Sequence, residues 1–106
     1  MRYKLFVKAD PKPGEEDEYN RWYDAQHVPE VLQVEGFVSA ERLVFAKEQM
    51  FDAPPSHQYL AIYDIETDDL AKTLEAFRAH APKMADCPAL DRARVTAEIF
   101  ALRTNE

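Results

Sequence analysis

Four stretches of this chain alternate their residues with a period of two, and two stretches between them repeat apolar residues at spacings of three and four. Arg2 to Ala9 sets Tyr3, Leu5 and Val7 against Lys4, Phe6 and Lys8, as a strand does. Phe37 to Ala46 places Phe37, Leu43 and Phe45 opposite Val38, Ala40, Val44 and Ala46. Gln58 to Ile65 is rich in Tyr, Ile and Leu, and Arg94 to Arg103 alternates Val95, Ala97, Ile99 and Ala101 with Thr96, Glu98, Phe100 and Leu102.

Between the first two strands, Pro11, Pro13 and Gly14 punctuate the chain and the acids Glu15 to Glu18 follow. Acids there suit the partial positive charge of a helix N-terminus, so a helix is expected from Gly14 or Glu15. Tyr19, Trp22, Tyr23 and Gln26 share its apolar face. Pro29 lacks a backbone donor and crowds the preceding turn, which predicts a bend or stop near His27. A short helical segment from Pro29 to Val34 should then end at Gly36. The second helix carries Leu70, Leu74, Phe77 and Ala81, with Thr67 or Asp68 as its cap and Pro82 closing it.

The order β-α-β-β-α-β is that of an α+β ferredoxin-like domain: a four-stranded antiparallel sheet with two helices on one face. At 106 residues, and with no repeat or linker, the chain is a single domain over residues 1–106. Two helices cover only one sheet face, yet the strands carry apolar residues on both. The open face therefore calls for a partner, and a homodimer joined through the sheets is expected. The connection KEQMFDAPPSH is longer than the roughly two to five residues usual in a hairpin, long enough to act as a lid.

Composition narrows the function. A net charge of −7, from 13 basic and 20 acidic residues, opposes binding to a phosphate backbone and argues against nucleic acid as a partner. No apolar run approaches the roughly 20 residues of a membrane span, and the alternating N-terminus does not read as a secretory signal. Cys87 has no cysteine to pair with, consistent with a reducing, cytoplasmic location and a small packed side chain.

Tyr19, Tyr23 and His27 stand four residues apart on one helix flank, with Trp22 and Gln26 beside them, which suggests an aromatic-walled groove with a polar end. His27 is the candidate catalytic residue, since an unperturbed pKa near 6.5 suits a general acid or base. A plainer reading buries the helix through its rings and satisfies His27 with a carbonyl freed at the proline. Asp24 lies about 60° around a helix from His27, so no His-Asp pair is expected. A buried Arg42 or Glu98 would need a partner and could bind a substrate carboxylate or phenolate, though an ion pair at a strand edge or dimer seam is the plainer reading; Tyr63 and Arg42 are secondary site candidates. His57, at the end of the long loop, could reach a pocket. The three histidines have no local ligand spacing, and no metal site is expected.

The segments Tyr19-Asn20-Arg21-Trp22-Tyr23, His27-Val28-Pro29, Gly36-Phe37, Arg42 and Tyr59-Leu60-Ala61-Ile62-Tyr63-Asp64 together resemble the EthD-like family of the dimeric α/β-barrel superfamily. The resemblance spans roughly Tyr3 to Leu102. It implies ferredoxin-like protomers pairing into a dimeric α/β barrel, each with a small apolar pocket between sheet and helices. The histidine of the His-x-Pro segment, here His27, is implied as the acid-base group. Glu35 stands where relatives often carry proline, a change that touches the turn more than the site.

The superfamily spans cofactor-free monooxygenases, polyketide cyclases, lactone isomerases and haem enzymes, and fold does not choose among them. No histidine is suitably placed for haem, and no cofactor is expected. The leading expectation is a cofactor-independent lyase, isomerase or cyclase acting on a small aromatic or hydrophobic oxygenated catabolite. Tyr19, Trp22, Tyr23, Gln26, Arg42, His57 and Tyr63 would be its substrate-binding residues. The alternatives are a non-catalytic binder of a hydrophobic ligand and a cofactor-free monooxygenase.

Overall fold

In the computed structural model, which describes residues 1–105, the alternating segments pair into one antiparallel sheet. Its strands are β1 (Arg2–Ala9), β2 (Phe37–Val44), β3 (Tyr59–Glu66) and β4 (Thr96–Ala101), in the order β2-β3-β1-β4. The helices are α1 (Glu16–Trp22), continued by a π-helical segment (Tyr23–His27) and α2 (Val28–Val31), and α3 (Leu70–His80). This is the α+β ferredoxin-like arrangement.

Register assigns the two faces. Leu5 pairs with Tyr63 and Ile99, and Tyr3 with Ile65, so these residues share the face that packs on the helices. Phe6 pairs with Ile62 and Glu98, and Lys8 with Leu60, on the opposite face. That second face stays open: Leu43 is 41% and Phe100 57% exposed. The core under the helices holds Tyr19, Tyr23, Val31, Phe37, Tyr63 and Ile65. Burying a large apolar side chain contributes about 1.5–3 kcal/mol, which is why the helices collect on this face.

Three local expectations change. Unbroken alternation would set Phe37 on the side of Leu43 and Phe45. A bulge between Phe37 and Ser39 instead opposes Phe37 to Ile65 and Ser39 to Asp64, turning Phe37 into the core and onto Phe77 at 5.5 Å. The cap of α3 is neither Thr67 nor Asp68 but Asp69, whose carboxylate accepts from the Lys72 N–H at 3.1 Å, while Thr67 braces it by accepting from the Asp69 N–H.

The first helix neither stops nor leaves helical geometry at His27. Its backbone stays right-handed through the π segment, where the Val28 N–H donates to the Tyr23 carbonyl five residues back. Pro29 cannot donate and would crowd the carbonyl four residues before it in an α-helix; the wider π turn accommodates it, and Pro29 sits in the first turn of α2. Helical structure ends at Val31 rather than Val34. Gly36 then turns the chain into β2 at φ +100°, and a Cβ there would stand 3.0 Å from the Thr73 methyl.

Candidate functional site

The π segment decides which side chains meet. In an α-helix, at about 100° per residue, position 27 would lie roughly 140° around from position 22. The π turn brings them together: the His27 ring stacks on Trp22 at 4.5 Å and 22°, and meets Tyr23 edge-on at 5.0 Å. Gln26, which α spacing would have set beside Trp22, is exposed. Trp22 is held from behind, its Nε1–H donating to the Ala85 carbonyl at 3.0 Å, and the Glu30 carboxylate accepts from the Ala85 N–H.

His27 Nδ1 is buried with no hydrogen-bond partner, so the carbonyl anticipated at the proline does not serve it. Burial lowers the His27 pKa, with the Glu30 carboxylate opposing and the Arg42 guanidinium reinforcing the shift. The ring is thus neutral near pH 7.

Arg42 lies on the helix-facing side of the edge strand β2, and its side chain is only 15% exposed. It donates from Nη1 to Asp24 at 2.9 Å and from Nη2 to Asn20 at 3.0 Å. Its guanidinium lies 4.3 Å from the Tyr23 ring centre, and 5.5 and 5.4 Å from those of Tyr19 and Tyr59. Arg42 Nε, like His27 Nδ1, is buried without a partner. The strand-edge ion pair is therefore present, and part of the guanidinium remains unused.

Tyr63, 1% exposed, is the third member: its hydroxyl is buried beside the Tyr23 side chain, and no group stands to it in good hydrogen-bond geometry. Burial, and then the neighbouring Tyr23, push its pKa above the usual phenol value. Burial also raises Tyr23 and Tyr19. Tyr19 is wholly buried and spends its hydroxyl on the Ala9 carbonyl at 3.0 Å. Among the described residues, His27 Nδ1, Arg42 Nε and the Tyr63 hydroxyl are the buried side-chain polar atoms lacking a partner. All three flank Tyr23, which His27 meets edge-on, Arg42 covers and Tyr63 neighbours.

Instead of walling an open groove, Tyr19, Trp22, Tyr23 and Tyr63 pack on one another and on the sheet. The opening at this place is a cleft of about 190 Å³ lined by Asp24, Val28, Ala40, Glu41 and Arg42. His57 belongs elsewhere: its Nε2 is 2.8 Å from the Arg94 carbonyl oxygen, and it borders a separate cleft with Phe45 and Gln49. Spacing alone overlooked Asn20 and Asp24 as partners of Arg42. Their i,i+4 separation on the flank facing β2 was the available signal. Among the described residues no three His, Cys, Asp or Glu side chains are grouped to hold a metal ion, and no helix is long and apolar enough to cross a membrane.

No protein-family model matches the chain, and no curated protein matches it in sequence. Solved structures do match its fold. An ethyl tert-butyl ether D (EthD) family protein from Bacillus halodurans C-125 is 12% identical with a TM-score of 0.61, the match covering 96% of this chain and 99% of that one. SnoaB, a cofactor-independent oxygenase from Streptomyces nogalater, is 17% identical with a TM-score of 0.53, over 96% and 93% of the two chains. A dimeric ferredoxin-like protein of unknown function from Jannaschia sp. CCS1 is 9% identical with a TM-score of 0.59, over 96% and 100%. The chain thus has the ferredoxin-like fold shared by EthD family proteins, a cofactor-independent oxygenase and a dimeric protein of this type.

Proposed function

We propose that this protein is a cofactor-independent enzyme that performs acid-base chemistry of a lyase, isomerase or cyclase type on a small aromatic or hydrophobic oxygenated compound. One observation carries the reading: the residues that bear the three buried, unpartnered polar atoms, His27, Arg42 and Tyr63, all neighbour one residue, Tyr23. Each such atom costs about 1–3 kcal/mol, so a cluster of three is a place that an oxygenated ligand would relieve.

In this mechanism neutral His27 accepts a proton from carbon or hydroxyl and returns it later in the cycle. Arg42 Nε–H and the Tyr63 hydroxyl donate toward the oxygen on which negative charge develops. Trp22 stacks on His27 and Tyr23 lies under Arg42, so these rings hold the two groups in place, and Tyr19 backs them. The cleft at Arg42 gives the route inward, and the substrate displaces part of the aromatic packing. Association of two copies through the open sheet face accompanies this reading, in line with the dimeric Jannaschia protein.

Replacing His27 by Ala should lower turnover about 10²–10⁴-fold while leaving ligand binding within a few-fold, with kinetics measured across a panel of phenols, quinols and lactones. Unchanged turnover removes His27 from the mechanism. Binding without any turnover by the wild-type chain favours a ligand-binding protein. The fold shared with SnoaB supports a second reading, a cofactor-free monooxygenase, which predicts oxygen uptake in step with loss of an electron-rich phenol.

A further inference from the structure

The open sheet face bears a cleft of about 540 Å³, lined by Lys4, Phe6, Lys8, Leu60, Glu98 and Phe100 among others. Phe6 and Phe100 meet edge-to-face in it, 5.5 Å between ring centres. The connection between β2 and β3 projects a second apolar feature, Met50 at 89% and Phe51 at 82% exposure, and neither residue lines this cleft. One chain thus carries an apolar knob and an apolar hollow that do not meet within it. Neighbouring large apolar residues with this much exposure mark an interaction surface.

The knob is anchored at its root and free at its tip. The Phe45 N–H donates to the Gln58 carbonyl at 2.7 Å, the Gln58 N–H donates to Asp10, and His57 is held at the Arg94 carbonyl. Pro54 and Pro55 stiffen the returning limb. Charge matches knob to hollow as well. Glu48 and Asp52 bracket Met50-Phe51, while Lys8 stands at the cleft without an acidic partner among the described residues; Glu98 at the cleft is complemented by Lys47 on the arm.

We propose that the tip of this arm, Glu48 to Asp52, inserts into the sheet cleft of a second copy, and that the two copies exchange arms about a two-fold axis. In such a pair Phe51 of each chain meets Phe100 of the other, and the acids beside it meet Lys8. Reciprocal exchange satisfies both knobs and both hollows in a closed assembly, as two-fold symmetry requires. The inference shares self-association with the proposed function but is independent of His27, and its test reads assembly rather than activity.

The double variant Phe51→Cys/Phe100→Cys, oxidised in the full chain, should run as a disulfide-linked dimer on a non-reducing gel, with each single variant monomeric there. Native Cys87 is 2% exposed and does not compete. An intrachain disulfide would show that the arm covers its own sheet, and absence of any bond would show that it docks elsewhere; either overturns the proposal. Sedimentation equilibrium supplies the second reading. Met50→Ser/Phe51→Ser should raise the dimer dissociation constant at least about tenfold, which corresponds to about 1.4 kcal/mol. Lys8→Glu should weaken the dimer, with Asp52→Lys restoring it in that background. Wild-type dimer affinity in Met50→Ser/Phe51→Ser would also overturn the proposal.

Discussion

At the scale of single residues, His27 and Arg42 are placed at a cost. His27 is neutral in the folded chain because burial lowers its pKa below the ordinary 6.5. Above that value both folded and unfolded chains hold it neutral and it contributes no pH dependence. As pH falls through 6.5 the unfolded chain takes up a proton that the folded chain refuses, so stability declines until the folded pKa is reached and then levels off. Urea midpoints measured between about pH 7.5 and pH 5 should show this decline in the wild type and lose it in His27→Gln. Arg42 should resist conservative replacement: both Arg42→Ala and Arg42→Lys remove the guanidinium over the Tyr23 ring and its fork to Asp24 and Asn20. About 1–3 kcal/mol should be lost with Ala and somewhat less with Lys, read by urea unfolding. A lysine equal to wild type would show that the guanidinium's contact with the Tyr23 ring contributes nothing beyond its charge.

Among elements, the helix running from α1 through the π segment to α2 depends on its exit as much as on its turns. Gly36 ends that exit at a positive φ and lies against Thr73 of α3. Gly36→Ala meets both the left-handed backbone penalty and the Thr73 methyl at 3.0 Å, and should cost about 1–3 kcal/mol in thermal or urea unfolding. A neutral result would mean that the turn relaxes to negative φ without disturbing α3. The edge strand β2 depends in the same way on its bulge, which lets Phe37 enter the core while Leu43 stays on the open face.

Across the whole molecule, Asp10 ties distant segments together at the end of β1. Its carboxylate accepts from the Gln58 N–H at 2.7 Å and from Arg94 Nε at 3.1 Å, while its carbonyl accepts from the Asp91 N–H at 3.0 Å. Asp10→Ala should cost about 0.5–1.5 kcal/mol for each of the two side-chain hydrogen bonds it removes, the freed donors being open to water. It should also loosen the root of the β2–β3 arm, so limited proteolysis between residues 46 and 57 should accelerate more than global unfolding explains. Equal acceleration at all cleavage sites would refute a local tie.

The order of elements, the α+β ferredoxin-like class and the two-sided sheet were legible in the chain because each rests on local periodicity, which a strand or helix expresses wherever it lies. His27, Arg42 and Tyr63 could be nominated from residue type. What surrounds them could not be read in the same way. Stacking of Trp22 on His27 requires a π turn, which appears in the sequence only as an awkward Pro29. The bulge at Phe37 reverses a face within an alternation that looks continuous. The closure of Tyr19, Trp22 and Tyr23 into core, with Arg42 drawn over them from the sheet edge, reflects competition among many side chains for one buried volume. Such competition is settled only when sheet and helices meet, because packing depends on distances between residues far apart in the chain, and periodicity carries no information about those distances.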